Sequence, residues 1–108
     1  MRKEIRIVGA TGEILDSERN VHVTKQASLA GPDKVRWIIV GTKSNAPFRV
    51  HFAHTPFDTA DTPQDINVSD ITGKSATLTV KRPPDTYKYS VYDNTNTKTD
   101  DPNIIIDS

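Results

Sequence analysis

Short stretches in which apolar and polar residues strictly alternate recur along the whole chain, and they constrain its fold more than any other feature. Alternation with a period of two places every second side chain on one face of an extended strand. In "EIRIV" Ile5 and Ile7 share a face, and in "NVHVTK" Val21 and Val23 stand against His22 and Thr24. "FRVHFAH" sets Phe48, Val50 and Phe52 against Arg49 and His51, the pattern of a sheet with one wet face. "SATLTVK" repeats it with Ala76, Leu78 and Val80, and "YKYSVYD" sets Tyr87, Tyr89 and Val91 against Lys88, Ser90 and Tyr92. A further strand, "NIIID", follows Pro102. "KVRWIIVG" differs, because Val35, Trp37 and Ile39 share one face while Ile38 and Val40 make the other apolar too, which predicts a central, well-covered strand.

The choice of apolar residues agrees with this reading. Ile and Val are plentiful, Leu is rare and Thr is abundant; branching at Cβ restricts rotation in a helix and packs well on a pleated surface. Gly, Pro, Asn and Asp punctuate the alternating stretches. The segment "HTPFDTADTPQDINVSD" is too rich in Pro, Asp and Thr for a long helix and reads as a loop with room for one short helical turn. About seven strands at near-regular spacing predict two antiparallel sheets packed face to face, an all-β sandwich. No linker or repeat divides the 108 residues, so residues 1–108 are expected to form one domain with one modest core.

The opening "EIRIVGATGEILDSER" invites comparison with a dinucleotide-binding turn and fails it. That fingerprint needs a third glycine, a long helix aimed at the pyrophosphate and a second parallel strand behind the helix. Leu15 stands where the third glycine would be, Glu13 would set a negative charge near the phosphates, and "DSERNVHV" returns to strand pattern at once. The motif reads as a turn in which Gly9 and Gly12 take conformations that other residues resist.

Two later stretches carry a resemblance. "GPDKVRWIIVG" resembles the Gly-Asp-x-Val-x-aromatic entry to an inner strand of the cupredoxins, the small blue-copper sandwiches, with Pro32 inserted. Thr86-Tyr87-Lys88-Tyr89-Ser90-Val91 resembles that family's Gly-x-Tyr-x-Phe/Tyr-x-Cys strand, with Asp85 in the usual glycine position. The resemblance implies a Greek-key, cupredoxin-like topology. It does not imply copper, since a blue-copper centre needs a thiolate and two imidazoles, Val91 falls where the cysteine would, and "DNTNTKTDD" holds no His or Met. No copper and no other cofactor is expected.

Lys+Arg and Asp+Glu balance at 14 each, which leaves no global basic field for nucleic acid or anionic lipid. The chain has no cysteine, no apolar run long enough for a membrane helix, and no apolar stretch behind Arg2 and Lys3; a cytoplasmic protein is the expectation. Candidate metal ligands are His51 and His54, with His22 as a third. Residues three apart on a strand point to opposite faces, so a shared metal requires the strand to end before His54. The competing reading is a solvent-facing His51 and a His54 bonded to backbone near Thr55-Pro56. Asp58, Asp61 and Asp65 could offer oxygen ligands to calcium, but their spacing is not that of an EF-hand and suits a solvated loop.

No Gly-x-Ser-x-Gly elbow appears, and neither Ser28 nor the other serines have a neighbouring base, so no catalytic residue is assigned. Tyr92, Ile38, Val40 and Ile105 are apolar residues at positions whose neighbours are polar, and if they converge they form a protein-binding or self-association patch, with Arg36 and Arg49 at its rim. The sequence thus predicts a non-catalytic binding or self-assembly module whose partner is another protein or a second copy. A small metal-binding protein is the alternative, and a small-molecule enzyme the more distant one.

Overall fold

The computed structural model describes residues 1–25 and 31–108, among which every extended element is a strand and the single helical turn is a 3-10 turn at Asp16–Glu18. Nine strands are formed among these residues: β1 (Arg2–Val8), β2 (Asn20–Thr24), β3 (Lys34–Val40), β4 (Phe48–Phe52), β5 (Gln64–Val68), β6 (Leu78–Thr79), β7 (Asp85–Tyr92), β8 (Lys98–Asp100) and β9 (Asn103–Asp107). They make a three-stranded sheet ordered β1-β3-β6 and a six-stranded sheet ordered β2-β9-β7-β4-β5, with β8 added beside β7. The all-β two-sheet sandwich expected from the alternation is the observed architecture. No helix among the described residues is long and apolar enough to cross a membrane.

The sheets are mixed, with β1 parallel to β3 and β2 parallel to β9, where purely antiparallel sheets were expected. Alternation dictates which side of a strand is oily and carries no information about the direction of its neighbour. The chain leaves the small sheet after β1, adds β2 to the large one, and returns as β3 running the same way as β1. The strand count also exceeds the expected seven. β5 lies inside the segment read as a loop: Ile66 and Val68 alternate with Asp65 and Asn67 and are buried, and the strand pairs with β4. The "SATLTVK" strand shrinks to Leu78–Thr79, with Val80 buried and Ala76 exposed.

Facing residues of the two sheets fill one core. Ile5, Ile7, Val35 and Trp37 from the small sheet meet Val50, Phe52, Tyr89, Val91, Ile104 and Ile106 from the large one, all buried. At its centre the Trp37 ring takes Phe52, Phe57 and Tyr89 edge-on, at centroid distances of 6.1, 6.1 and 5.4 Å, the arrangement that opposes ring edge to ring face. Trp37 Nε1 donates to Tyr89 Oη at 3.4 Å, and burial pushes the Tyr89 phenol far above its ordinary value. β3 is the middle strand of its sheet, fully buried at Val35 and Trp37 and half-covered at Arg36, Ile38 and Val40.

The Gly9-to-Gly12 connection is a turn. The amides a phosphate would need are taken by the protein's own carbonyls, Gly9 donating to Val40 and both Thr11 and Gly12 to Val8. A side chain at Gly9 would strike the Thr42 carbonyl oxygen at 1.8 Å; Gly12 has φ +79° and packs against Thr99. The glycines answer to backbone contact.

Candidate functional site

Strand parity sends Arg49 and His51 of β4, Asp65 and Asn67 of β5, and Ser90 and Tyr92 of β7 to the outer face of the six-stranded sheet. Arg49 is paired across the ladder with both Tyr92 and Asn67, and His51 with both Asp65 and Ser90. This register makes a cluster. The Arg49 guanidinium lies 4.2 Å from the centre of the Tyr92 ring, Nη1 donates to Asp65 Oδ1 at 3.2 Å, and Nη2 donates to Asn96 Oδ1 at 2.6 Å. His51 Nδ1 sits 2.7 Å from the same Asp65 oxygen. The His51 hydrogen bond, with help from Arg49 and against the cost of burial, holds the Asp65 carboxyl below its usual range.

Asn96 is presented by the turn after β7. Asp93 Oδ1 accepts from the amides of Thr95 and Thr97 and from the Thr95 hydroxyl, and Asn96 adopts φ 61°, a left-handed conformation that asparagine tolerates. These bonds hold the Asp93 carboxyl low as well, the Thr95 hydroxyl first. Beside the cluster, a depression of about 340 Å³ runs between Pro47, Arg49, Asn67, Ser69, Asp93 and Asn96. The sheet therefore offers a preset ring-and-guanidinium pair next to a shallow basin of mixed polar and apolar lining.

A second concavity, of about 380 Å³, opens past the end of β4 between His54, Asp61, Arg82, Asp85, Tyr87 and Lys88. His54 Nδ1 lies 2.7 Å from Asp61 Oδ1, which Arg82 approaches at 3.7 Å, and Tyr87 Oη donates to the Pro83 carbonyl. Burial raises the Tyr87 phenol, with Arg82 pulling the other way.

The three histidines go to three separate places. Each meets one aspartate through Nδ1: His22 meets Asp107 from β9, His51 meets Asp65, and His54 meets Asp61. His54 lies beyond the end of β4 and bonds to a loop carboxylate, not to the backbone near Thr55-Pro56. No group of three His, Asp or Glu side chains gathers as a metal cluster among the described residues. Asp58, Asp61 and Asp65 do not act together either: Asp58 caps the Ala60 amide while the other two engage different histidines. Ser75 bonds to the Trp37 amide and the Ala76 carbonyl, Ser90 to Asp101, and Ser28 lies outside the described residues.

The expected apolar patch is divided. Ile38 and Val40 lie on the outer face of the three-stranded sheet, whereas Tyr92 and Ile105 lie on that of the six-stranded sheet. Ile105 pairs with Thr86, six positions before Tyr92 on β7, which separates the two by about 20 Å. Arg49 does border Tyr92; Arg36 belongs to the other sheet and pairs with Glu4. Asn96 was not singled out from the sequence, although "DNTNT" carries the signal of an Asx-supported turn with a left-handed residue.

No protein-family model matches the chain, and no curated protein matches it.

Proposed function

We propose that the chain is a non-catalytic, copper-free protein-association module that uses the Arg49–Tyr92 face of the six-stranded sheet, with a second copy of itself as partner. The observation that carries this reading is the guanidinium held 4.2 Å over an exposed-face tyrosine ring by two side-chain acceptors. Tyr and Arg supply large contact area, and residues already fixed on strands lose little entropy on binding. The cluster carries both signs, Arg49 and Asp65, so the same patch on two copies can pair across a two-fold axis. What supports a copper-free form of the cupredoxin sandwich is Val91, fully buried on β7 where that family's motif would carry its thiolate.

Sedimentation velocity over a rising concentration series tests the reading. A dimer is expected to form with concentration. Arg49→Asp and Asp65→Arg should each weaken it, and mixing the two variants should restore it, because each then meets its opposite. A chain that stays monomeric to millimolar concentration, or a dimer indifferent to both reversals, overturns the reading.

A further inference from the structure

The net charge of zero conceals a division along the chain: residues 1–50 hold nine Lys and Arg against five Asp and Glu, and the remainder holds five against nine. Much of the positive half is displayed on one surface. In the parallel register of β1 and β3, Arg2 stands beside Lys34, Glu4 beside Arg36, Arg6 beside Ile38 and Val8 beside Val40, all on the face opposite the buried Ile5, Ile7, Val35 and Trp37. A bridge from Ile38 brings Lys74 onto the same face.

Several of these charges are already matched. Arg6 donates to Glu18 from Nε and Nη2 at 2.9 and 2.5 Å, and Arg36 is bonded to Glu4. Glu4 is also the carboxylate that Arg2 approaches, at 3.9 Å. Its carboxyl is held below the usual range, first by the Arg36 hydrogen bond and then by the charges of Arg36, Arg2 and Lys74. One resident carboxylate thus sits among three cations, while Lys34 and Lys74 have no carboxylate within 4.0 Å among the described residues. Of the two lysines, Lys34 stands at the Arg2 end and Lys74 farther along, beside Ile38 and Arg6. Only at the far end do Val8 and Val40, both half-buried, make the face apolar.

We infer that the outer face of the three-stranded sheet is a second docking surface, and that its occupant is an acidic polypeptide segment of about six extended residues, apolar only at the end that meets Val8 and Val40. The length follows from the Arg2 to Val8 span, and the acidity from the cations that run from Arg2 and Lys34 to Lys74. Glu4 shows the kind of group the cations hold. The chemistry of the face disfavours a nucleic acid, since none of these residues is aromatic and no base could stack.

Fluorescence anisotropy with a labelled hexapeptide, four Glu followed by two Val, tests this in about 20 mM salt, where screening reaches only beyond about 20 Å. The acidic peptide should bind and weaken as salt rises, while a Lys-for-Glu peptide should not bind. Lys34→Glu combined with Lys74→Glu should lower the affinity about tenfold, Lys34→Arg with Lys74→Arg should keep it, and Tyr92→Ala should leave it unchanged. The Tyr92→Ala arm separates this surface from the Arg49–Tyr92 face, so either can fail without the other. No binding of the acidic peptide, binding indifferent to both charge reversals, or tighter binding of an oligouridylate overturns the inference.

Discussion

On the outer face of the six-stranded sheet Arg49 is held by Asp65 and Asn96 and Lys88 Nζ lies 3.1 Å from Asp101, while Lys98, beside Tyr92, has no carboxylate within 4.0 Å among the described residues. On the outer face of the three-stranded sheet, Arg2, Arg36 and Lys74 surround Glu4, and neither Lys34 nor Lys74 has a carboxylate within 4.0 Å among the described residues. Both faces are polar and both rest on the same core, but the second gathers Arg2, Arg6, Lys34, Arg36 and Lys74 against Glu4 and Glu18 alone. Local pairing cancels charge at short range, whereas unpaired charge acts on a partner out to the Debye length, about 8 Å at physiological salt. The large-sheet face presents shape and a preset contact, and the small-sheet face presents sign.

The largest expected effect comes from removing what the two faces share. Trp37 has no exposed surface and touches Phe52, Phe57 and Tyr89, so Trp37→Ala leaves a cavity at the junction of both sheets. A loss of about 3–5 kcal/mol is expected in urea unfolding. Amide exchange on β3 and β7 should accelerate together, since neither sheet can bury its inner face alone. Exchange that rises on only one of the two sheets would show that each keeps its own core and that the comparison concerns two independent units.

Asp100 ties the crossover between the sheets to the large one. Its carboxylate takes the Arg19 guanidinium at 2.5 Å and the Ile14 amide at 2.8 Å, joining residues that leave β1 and enter β2 to the end of β8. Burial opposes its charge, and the bonds from Arg19, Ile14 and Asp101 more than offset it, so the carboxyl is held below the usual range. Asp100→Ala should cost about 2–3 kcal/mol, because the Ile14 amide and the Arg19 charge lose their acceptor. The sign of the pH effect follows: a carboxyl depressed on folding stabilises above its unfolded pKa of about 4, and this is lost as pH falls through the lower folded value. The difference in stability between the parent chain and Asp100→Ala should therefore shrink below about pH 4. A difference that stays constant to pH 2 would show that the carboxylate charge has no part in the contact.

The faces of most strands were legible from side-chain alternation, since Phe48, Val50 and Phe52 or Tyr87, Tyr89 and Val91 can be buried together only on one side of a strand. Strand direction was not, because β1 and β3 become parallel through a crossover that leaves no local trace. β5 was hidden by composition: only Ile66 and Val68 mark it, among Pro, Asp and Thr residues that usually form loops. The candidate site was half legible. Tyr92 and Arg49 could be named from parity, but grouping Tyr92 with Ile38 and Val40 requires strand order, which side-chain period cannot supply. The partners of the histidines lie 7, 14 and 85 positions away, so the aspartates that claim them could not be read from local spacing.

The smallest effects draw the sharpest line between the two faces. A double-mutant cycle on Arg49→Ala and Tyr92→Ala should return a coupling of about 0.5–1 kcal/mol, little altered by salt, because the guanidinium rests on the ring and is held there by neutral Asn96 as well as by Asp65. Lys34→Ala and Lys74→Ala should each change stability by less than about 0.5 kcal/mol, with Lys34→Ala toward greater stability at low salt, since it removes a like-charge neighbour, and Lys74→Ala closer to neutral, since it also removes an attraction to Glu4. Urea unfolding of the variants at two salt concentrations separates these outcomes. If the Arg49–Tyr92 coupling vanishes, or if removing either lysine costs as much as that coupling, the contrast between a face that presets a contact and a face that gathers cations is lost. The argument for a partner at the small sheet fails with it, because that argument rests on cations in excess of those the fold itself needs.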